Sequence, residues 1–436
     1  MKKLFAALFS LAILTLETMV MVRFVNEMID MKNGTGRYKE STWNAAEHYP
    51  FADGSEYDTD AKKDMSLLGK LEYNIKTLEG KIETGVTVEG YYYQDLVLFS
   101  KYIDRFLGMN CTTSLSGGSN DLSDSNDIVL QLSDGYLSFV LDDFDKTENV
   151  DSVVNFGRDV TSKGMNFLYL EVPYKMDTSD AAYEKYAPVY PDHFEEKTKE
   201  IRKALEDNSL CVVGLDDYFP ELISDRKTLF FKTDHHWLPQ TGLRACAALC
   251  DSLNAECSYN IDTSVFNLEN YEITDGTKML GSQGRKVTEV YTDIETLPVV
   301  TPLYDTDLTV FISGNDKTYN GSIQETLFDY SKLDIKNYYT SSAYTFYGYG
   351  DQPYIKVHNN LVNDGTHLLV IKKSFANCMI PYLAGVVEDM DVLELRYFKG
   401  SLQTFIEKEK PDTVVVIYGT TSFEVNPETR PAFDFR

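Results

Sequence analysis

Two stretches of this chain carry residue types that could do chemistry together. The first is Lys232-Thr233-Asp234-His235-His236-Trp237, which gathers two of the six histidines and one of the two tryptophans beside an aspartate. A carboxylate two residues before an imidazole can fix the ring's tautomer and stabilise the imidazolium, so His236 oriented by Asp234 reads as a general base. The second stretch is Val370-Ile371-Lys372-Lys373-Ser374-Phe375-Ala376-Asn377, an apolar run passing into a helical pattern with Ser374 at the junction. A serine there presents its hydroxyl at a helix N-terminus, where unpaired N–H groups and the positive dipole end favour a developing oxyanion. An ordinary capping serine has the same signature. A base with nothing to activate is equally uninformative. Together, Asp234, His236 and Ser374 make a Ser-His-Asp set suited to acyl transfer.

The elements that must position them are legible from about residue 150 onward. Helical patterns cover 153–163, 192–206, 239–254, 375–388 and 401–409, and apolar strands cover 167–172, 210–213, 367–371, 392–395 and 413–418. Pro239 opens its helix at the first turn, where a missing N–H costs nothing. Alternation of Val/Leu/Ile-rich strands with helices predicts an α/β fold, a mostly parallel sheet with helices on both faces. In such sheets ligands bind at the carboxyl ends of strands, where Ser374 falls. Residues 262–345 read as a β-rich insertion and 426–436 as a C-terminal tail. Short strands with turns are expected at 89–95 and 133–137, separated by a Ser/Gly/Asn/Asp-rich loop at 112–127.

Residues 1–25 read as a signal peptide or membrane anchor. Lys2 and Lys3 precede a run at 4–16 that is polar only at Ser10 and Thr15, a length that fits a signal segment better than a membrane span of about 20 residues. Residues 26–85 read as a polar stalk. The expected location is extracytoplasmic, with the membrane reached only through an uncleaved anchor. A net charge of −27 repels phosphate backbones, so nucleic acid is not an expected partner. Six cysteines permit disulfides in an oxidising compartment, yet Cys246 and Cys250 sit at i, i+4, and no CxxC or HExxH pattern suggests a metal. The 30 tyrosines suit stacking on sugar rings or a β-rich core alike.

With these residues in view, the chain resembles the DHHW family of exported bacterial proteins, related to the alginate O-acetylation proteins within the SGNH (GDSL-like) hydrolase group. The resemblance covers about 86–425 and rests on 232–237, on 370–383 (VIKKSFANCMIPYL), and more loosely on 393–398 (LELRYF) and 170–175 (LEVPYK). It implies an SGNH hydrolase-like domain in which Ser374 is the nucleophile and Asp234 and His236 the acid and base. It implies a glycan or polysaccharide substrate, a membrane-bound acyl-donor protein as partner, and no metal or organic cofactor. Two departures stand out. Relatives carry Asp just before the serine, where this chain has Lys373. An upstream Gly-Gly-Asn-like oxyanion element has only Gly348-Tyr349-Gly350-Asp351 to match it, and Asp351 places an acceptor where a donor is wanted. Asn377 and Gly350 are the remaining oxyanion candidates, with Lys373, Arg396, His235 and Trp237 as substrate or site neighbours. The resulting expectation is an extracytoplasmic serine esterase or O-acyltransferase acting on acetylated polysaccharide. The alternative is a carbohydrate-binding or envelope scaffold protein whose SGNH-like site has degenerated.

Overall fold

The strands that were expected to be buried on both faces are so because they lie in the middle of one sheet. The computed structural model describes residues 129–436, apart from Tyr186, Val189, Tyr190, Lys336, Asn337, Tyr339, Thr340 and Glu428. The expected leader, stalk, 89–95 strand, 112–127 loop and Cys111 lie outside the described residues. The main sheet contains β3 (Asn166–Val172), β4 (Cys211–Val213), β7 (Leu308–Ile312), β8 (Lys317–Gly321), β9 (Tyr354–Asn359), β10 (His367–Lys372), β11 (Asp389–Leu393) and β12 (Thr413–Gly419), in the spatial order β4-β3-β12-β10-β11-β9-β7-β8. Before it, β1 (Val129–Gln131) and β2 (Leu137–Phe139) form a small antiparallel pair.

Helices cover both faces of the parallel half. On one face α1 (Thr147–Ser162), α2 (Phe194–Asp207) and α6 (Leu402–Glu409) pack Val153, Val160, Ile201, Leu205 and Ile406 against Phe167, Ile371 and Val416. On the other, α3 (Pro239–Cys257) lays Leu243, Cys246, Leu249 and Leu253 over Leu168, Val370 and Val415. Each such buried aliphatic side chain contributes about 1.5–3 kcal/mol over leaving it in water. β10 and β12 are therefore nearly continuous apolar runs, as central parallel strands must be.

The expectation of a mostly parallel sheet is met in part, in a mixed sheet. β4, β3, β12, β10 and β11 are parallel neighbours, but β9, β7 and β8 continue the sheet antiparallel. These three strands are not closed in on both faces: β7 alternates buried Leu308, Val310 and Ile312 with half-buried Thr309 and Phe311. Antiparallel strands tolerate such one-sided exposure. Two of them come from the stretch 262–345, which also forms a separate ribbon of β5 (Tyr271–Met279) and β6 (Glu295–Pro302). The short helix α4 (Ser282–Val287) lies between those two strands in sequence.

The segment after β10 also differs from expectation. A single helix over 375–388 is replaced by a 3-10 turn (Ser374–Cys378) and a one-turn helix α5 (Ile380–Ala384). Pro381 has no N–H to give the carbonyl of Asn377, so an α-helix cannot run through. β11 then begins at Asp389, earlier than the apolar run, because Asp391 is paired inside: it accepts from Tyr354 Oη at 2.7 Å and lies 2.7 Å from His367 Nε2. The last residues are ordered as well, with Phe435 stacked on Phe156 of α1 at 4.4 Å.

Candidate active site

Parallel strands share one carboxyl edge, so the segments leaving β3, β4, β10 and β11 meet there. Residues 230–238 make a hairpin-like loop ahead of α3, closed by a bridge between Phe230 and Trp237 and by the Phe231 N–H donating to His236 O at 3.2 Å. This loop carries Asp234 and His236. The turn leaving β10 carries Ser374.

The structure brings these three together. Asp234 Oδ1 lies 2.6 Å from His236 Nδ1 and accepts the His236 backbone N–H at 2.9 Å. His236 Nε2 lies 2.8 Å from Ser374 Oγ. Asp234 and His236 are buried, and Ser374 is half-buried. Burial pushes the Asp234 carboxyl upward, but the neighbouring His236 and His235 imidazoles and the hydrogen bonds from His236 outweigh it and hold it well below the usual range. An ionised carboxylate only accepts, so the His236 proton sits on Nδ1 and Nε2 faces Ser374 as an acceptor.

Further groups hold this geometry. Asp234 Oδ2 accepts the Ser282 N–H at 2.8 Å. The Tyr344 ring stacks on the His236 ring at 4.0 Å and 13°. Its hydroxyl donates to Phe375 O at 2.8 Å, and Trp237 Nε1 donates to the same carbonyl at 2.8 Å. Trp237 thus ties the loop bearing the imidazole to the turn bearing the serine. α3 is pressed on that turn so closely that a Cβ on Gly242 would collide with Cys378 Sγ. Behind the loop, Glu295 accepts the N–H groups of Lys232 (2.9 Å) and Thr233 (2.7 Å) and the Thr233 hydroxyl. The Lys175 ammonium donates to the carbonyls of Phe231 and Asp234 at 2.9 and 2.7 Å.

His235 stands beside the set. Its Nδ1 lies 2.7 Å from Ser282 Oγ, and its ring centroid is 3.8 Å from that of His236. Burial, then the neighbouring His236, pushes its pKa down. With Phe139 and Phe375 it forms an aromatic rim.

The oxyanion side is less complete. Among the described residues neither the Ser374 nor the Phe375 backbone N–H has an acceptor, which leaves both at the first turn facing no carbonyl. The side-chain candidates are engaged elsewhere. Asn377 is buried, with Nδ2 donating to Asp351 Oδ1 at 3.1 Å and Oδ1 accepting from Lys372 at 2.5 Å. The Gly350 N–H donates to Tyr347 O at 3.0 Å. Asp351 also accepts from Lys372 and Arg396, each at 3.0 Å. Burial raises its carboxyl, but these two cations bring it far below the usual range. Arg396 adds a two-pronged contact to Glu394 at 2.9 and 2.8 Å. Lys373 is half-buried, and burial followed by the nearby Arg396 lowers its ammonium to about 8.

The ligating atoms of Asp234, His235 and His236 fall within 4.8 Å of one another, a spacing that could serve a metal. Those of Asp234 and His236 already have the partners given above. Cys211, Cys246, Cys250, Cys257 and Cys378 are unpaired. Reading the residues alone missed Tyr344, Ser282 and Glu295. Only the small-residue run Gly281-Ser282-Gln283-Gly284 could have flagged a close backbone approach.

This fold, with Ser, His and Asp at the carboxyl edge of its parallel strands, is similar to that of an SGNH hydrolase-like domain. Residues 137–279 match the family described as an SGNH hydrolase-like domain of the acetyltransferase AlgX. Residues 212–393 match the DHHW protein family. The solved DHHW family protein of Eubacterium siraeum is similar, with 19% identity and TM-score 0.54, covering 72% of this chain and 97% of that one. Bacillus cereus PatB1 is similar at 18% identity and TM-score 0.56, covering 71% and 100%. A second PatB1 structure, with a sulfonyl adduct, matches at 18% identity and TM-score 0.54, covering 71% and 99%. No curated protein matches the chain.

Proposed function

We propose that this protein is an extracytoplasmic serine esterase or O-acyltransferase acting on acetylated polysaccharide. The observation that carries this reading is the continuous line from Asp234 through His236 to Ser374, at 2.6 and 2.8 Å. In the proposed mechanism His236 Nε2 takes the hydroxyl proton of Ser374 as Oγ attacks the carbonyl carbon of an acetyl ester. The tetrahedral oxyanion is met by the free N–H groups of Ser374 and Phe375. Collapse breaks the ester bond, and His236 returns its proton to the departing alcohol. The acetyl-serine then passes its acetyl group to water, in hydrolysis, or to a sugar hydroxyl, in transfer. Transfer calls for a donor, and a membrane-bound acyl-donor protein fits that part. The AlgX family description supports the acetyl assignment. Among the described residues no helix is long and apolar enough to cross a membrane.

One finding favours the second reading, a glycan-binding scaffold with a degenerate site: Gly350 and Asn377 have their donors engaged, and Asp351 is an acceptor. Sulfonylation separates the two. An arylsulfonyl fluoride should modify wild type at Ser374, and hydrolysis of an activated acetyl ester should fall by about 10³-fold or more in Ser374→Ala. Equal hydrolysis by wild type and Ser374→Ala, with no sulfonylation, leaves only the scaffold reading.

A further inference from the structure

One charged group lies entirely inside the protein immediately behind the catalytic loop. Lys175, two residues after Pro173 closes β3, is fully buried. Its ammonium reaches Phe231 O at 2.9 Å, Lys232 O at 3.3 Å, Asp234 O at 2.7 Å and the Gln283 side-chain oxygen at 2.5 Å. Three of these acceptors are main-chain carbonyls of a single loop, and the fourth stands on α4. An isolated buried ammonium is costly unless its donors are all met. Here three N–H bonds face four oxygens, so the donors of the ammonium are all met.

We propose that Lys175 is the positioning residue of this site, gathering the carbonyls of Phe231, Lys232 and Asp234 onto one ammonium so that the Asp234 carboxylate is presented to His236. The backbone of a loop without regular structure has no ladder to fix it, and its carbonyls would otherwise need water. Lys175 meets them from the inside. Glu295 of β6 meets the N–H groups of Lys232 and Thr233, and Ser282 of α4 holds the carboxylate itself. The acid is thereby fixed through its main chain by one group and through its side chain by another. Burial lowers the Lys175 ammonium to about 7, and the Glu295 and Asp234 carboxylates oppose that fall; the positioning role stands on the four oxygens gathered around it.

This proposal rests on the catalytic reading of Ser374, and the experiment keeps the two apart. Hydrolysis of an activated acetyl ester is measured for the full chain as wild type, Ser374→Ala, Lys175→Met and Lys175→Gln, with urea unfolding of each. Lys175→Met should lower kcat by about 10²-fold with KM within about twofold, the effect of misplacing a catalytic group by about an ångström. Lys175→Gln, which keeps an amide donor for part of the loop, should recover a share of that loss. A wild-type kcat in Lys175→Met beside an inert Ser374→Ala overturns the positioning role alone. So does equal impairment of the Met and Gln variants, since packing then explains the effect. Should Lys175→Met not fold, Gln283→Met decides: a several-fold lower kcat at unchanged KM supports the proposal, and an unchanged kcat overturns it. Activity in Ser374→Ala equal to wild type instead removes the catalytic reading.

Discussion

Asp234 has both carboxylate oxygens engaged, and the two sides are not equivalent. Oδ2 faces the Ser282 N–H, while Oδ1 faces the N–H and Nδ1 of His236. Every one of these partners is a donor, so an amide in place of the carboxylate has no position for its NH2. Against Ser282 the NH2 meets an N–H. Against His236 it forces the ring proton onto Nε2, which then cannot accept from Ser374. Asp234→Asn should therefore keep the fold and substrate KM while kcat falls by about 10⁴-fold, the size of effect a wrong tautomer produces in Ser-His-Asp sites. Steady-state kinetics on an activated acetyl ester decide it, and a kcat within tenfold of wild type would mean that His236 is not oriented by Asp234. The pH dependence has a definite sign. The folded-state carboxyl is depressed, so its stabilising charge is fully present above the unfolded value near 4 and is lost as pH falls through the folded value.

The elements that build the site approach one another with almost no clearance. Gly281, at the start of α4, lies so close to the loop that a Cβ there would sit 2.5 Å from both the Cα and the N of Asp234. Backbone cannot yield as a flexible side chain can, so Gly281→Ala must push α4 away and withdraw the Ser282 N–H. The expected cost is about 1–3 kcal/mol in urea unfolding, accompanied by a fall in kcat. Wild-type stability and rate in Gly281→Ala would show that the two segments are not held together as described. This contact also marks where sequence reading stops. The strand leading to Ser374 is legible because residues 368–371 are an unbroken apolar run, and Asp234 and His236 declare themselves by type and spacing. The supports do not. Ser282 acts through its main-chain N–H, which carries no residue signature, and Tyr344 stands far in sequence from the ring it stacks on. From sequence the sheet reads as mostly parallel because β7 and β9 are short, alternate in burial and lie among loops. The Asn377 amide is an oxyanion candidate in the sequence because nothing local shows that Lys372 and Asp351 claim it first.

The whole molecule carries a net charge of −27, and on the proposed polysaccharide substrate that charge would act before any residue of the site does. An acidic surface lowers the local concentration of an anionic chain and slows its approach, and salt relieves this as the Debye length shortens to about 10 Å at 0.1 M. A neutral acetylated glycan feels no such field. Raising ionic strength from about 20 to about 200 mM should therefore raise kcat/KM for an acetylated uronate polymer several-fold, and leave a neutral acetylated polymer within about twofold. The opposing influence is local: Lys373 and Arg396 stand near the carboxyl edge, Arg396 matched by Glu394 and Asp351 and the half-buried Lys373 ammonium facing the same two carboxylates. One such charge, lowered by burial, is a short-range contact and cannot reverse the field of the surface at the distances over which a polymer is captured. Measuring the two substrates across the salt series tests this balance directly. A uronate rate that falls as salt rises would show that the cations at the carboxyl edge, and not the net charge, govern capture.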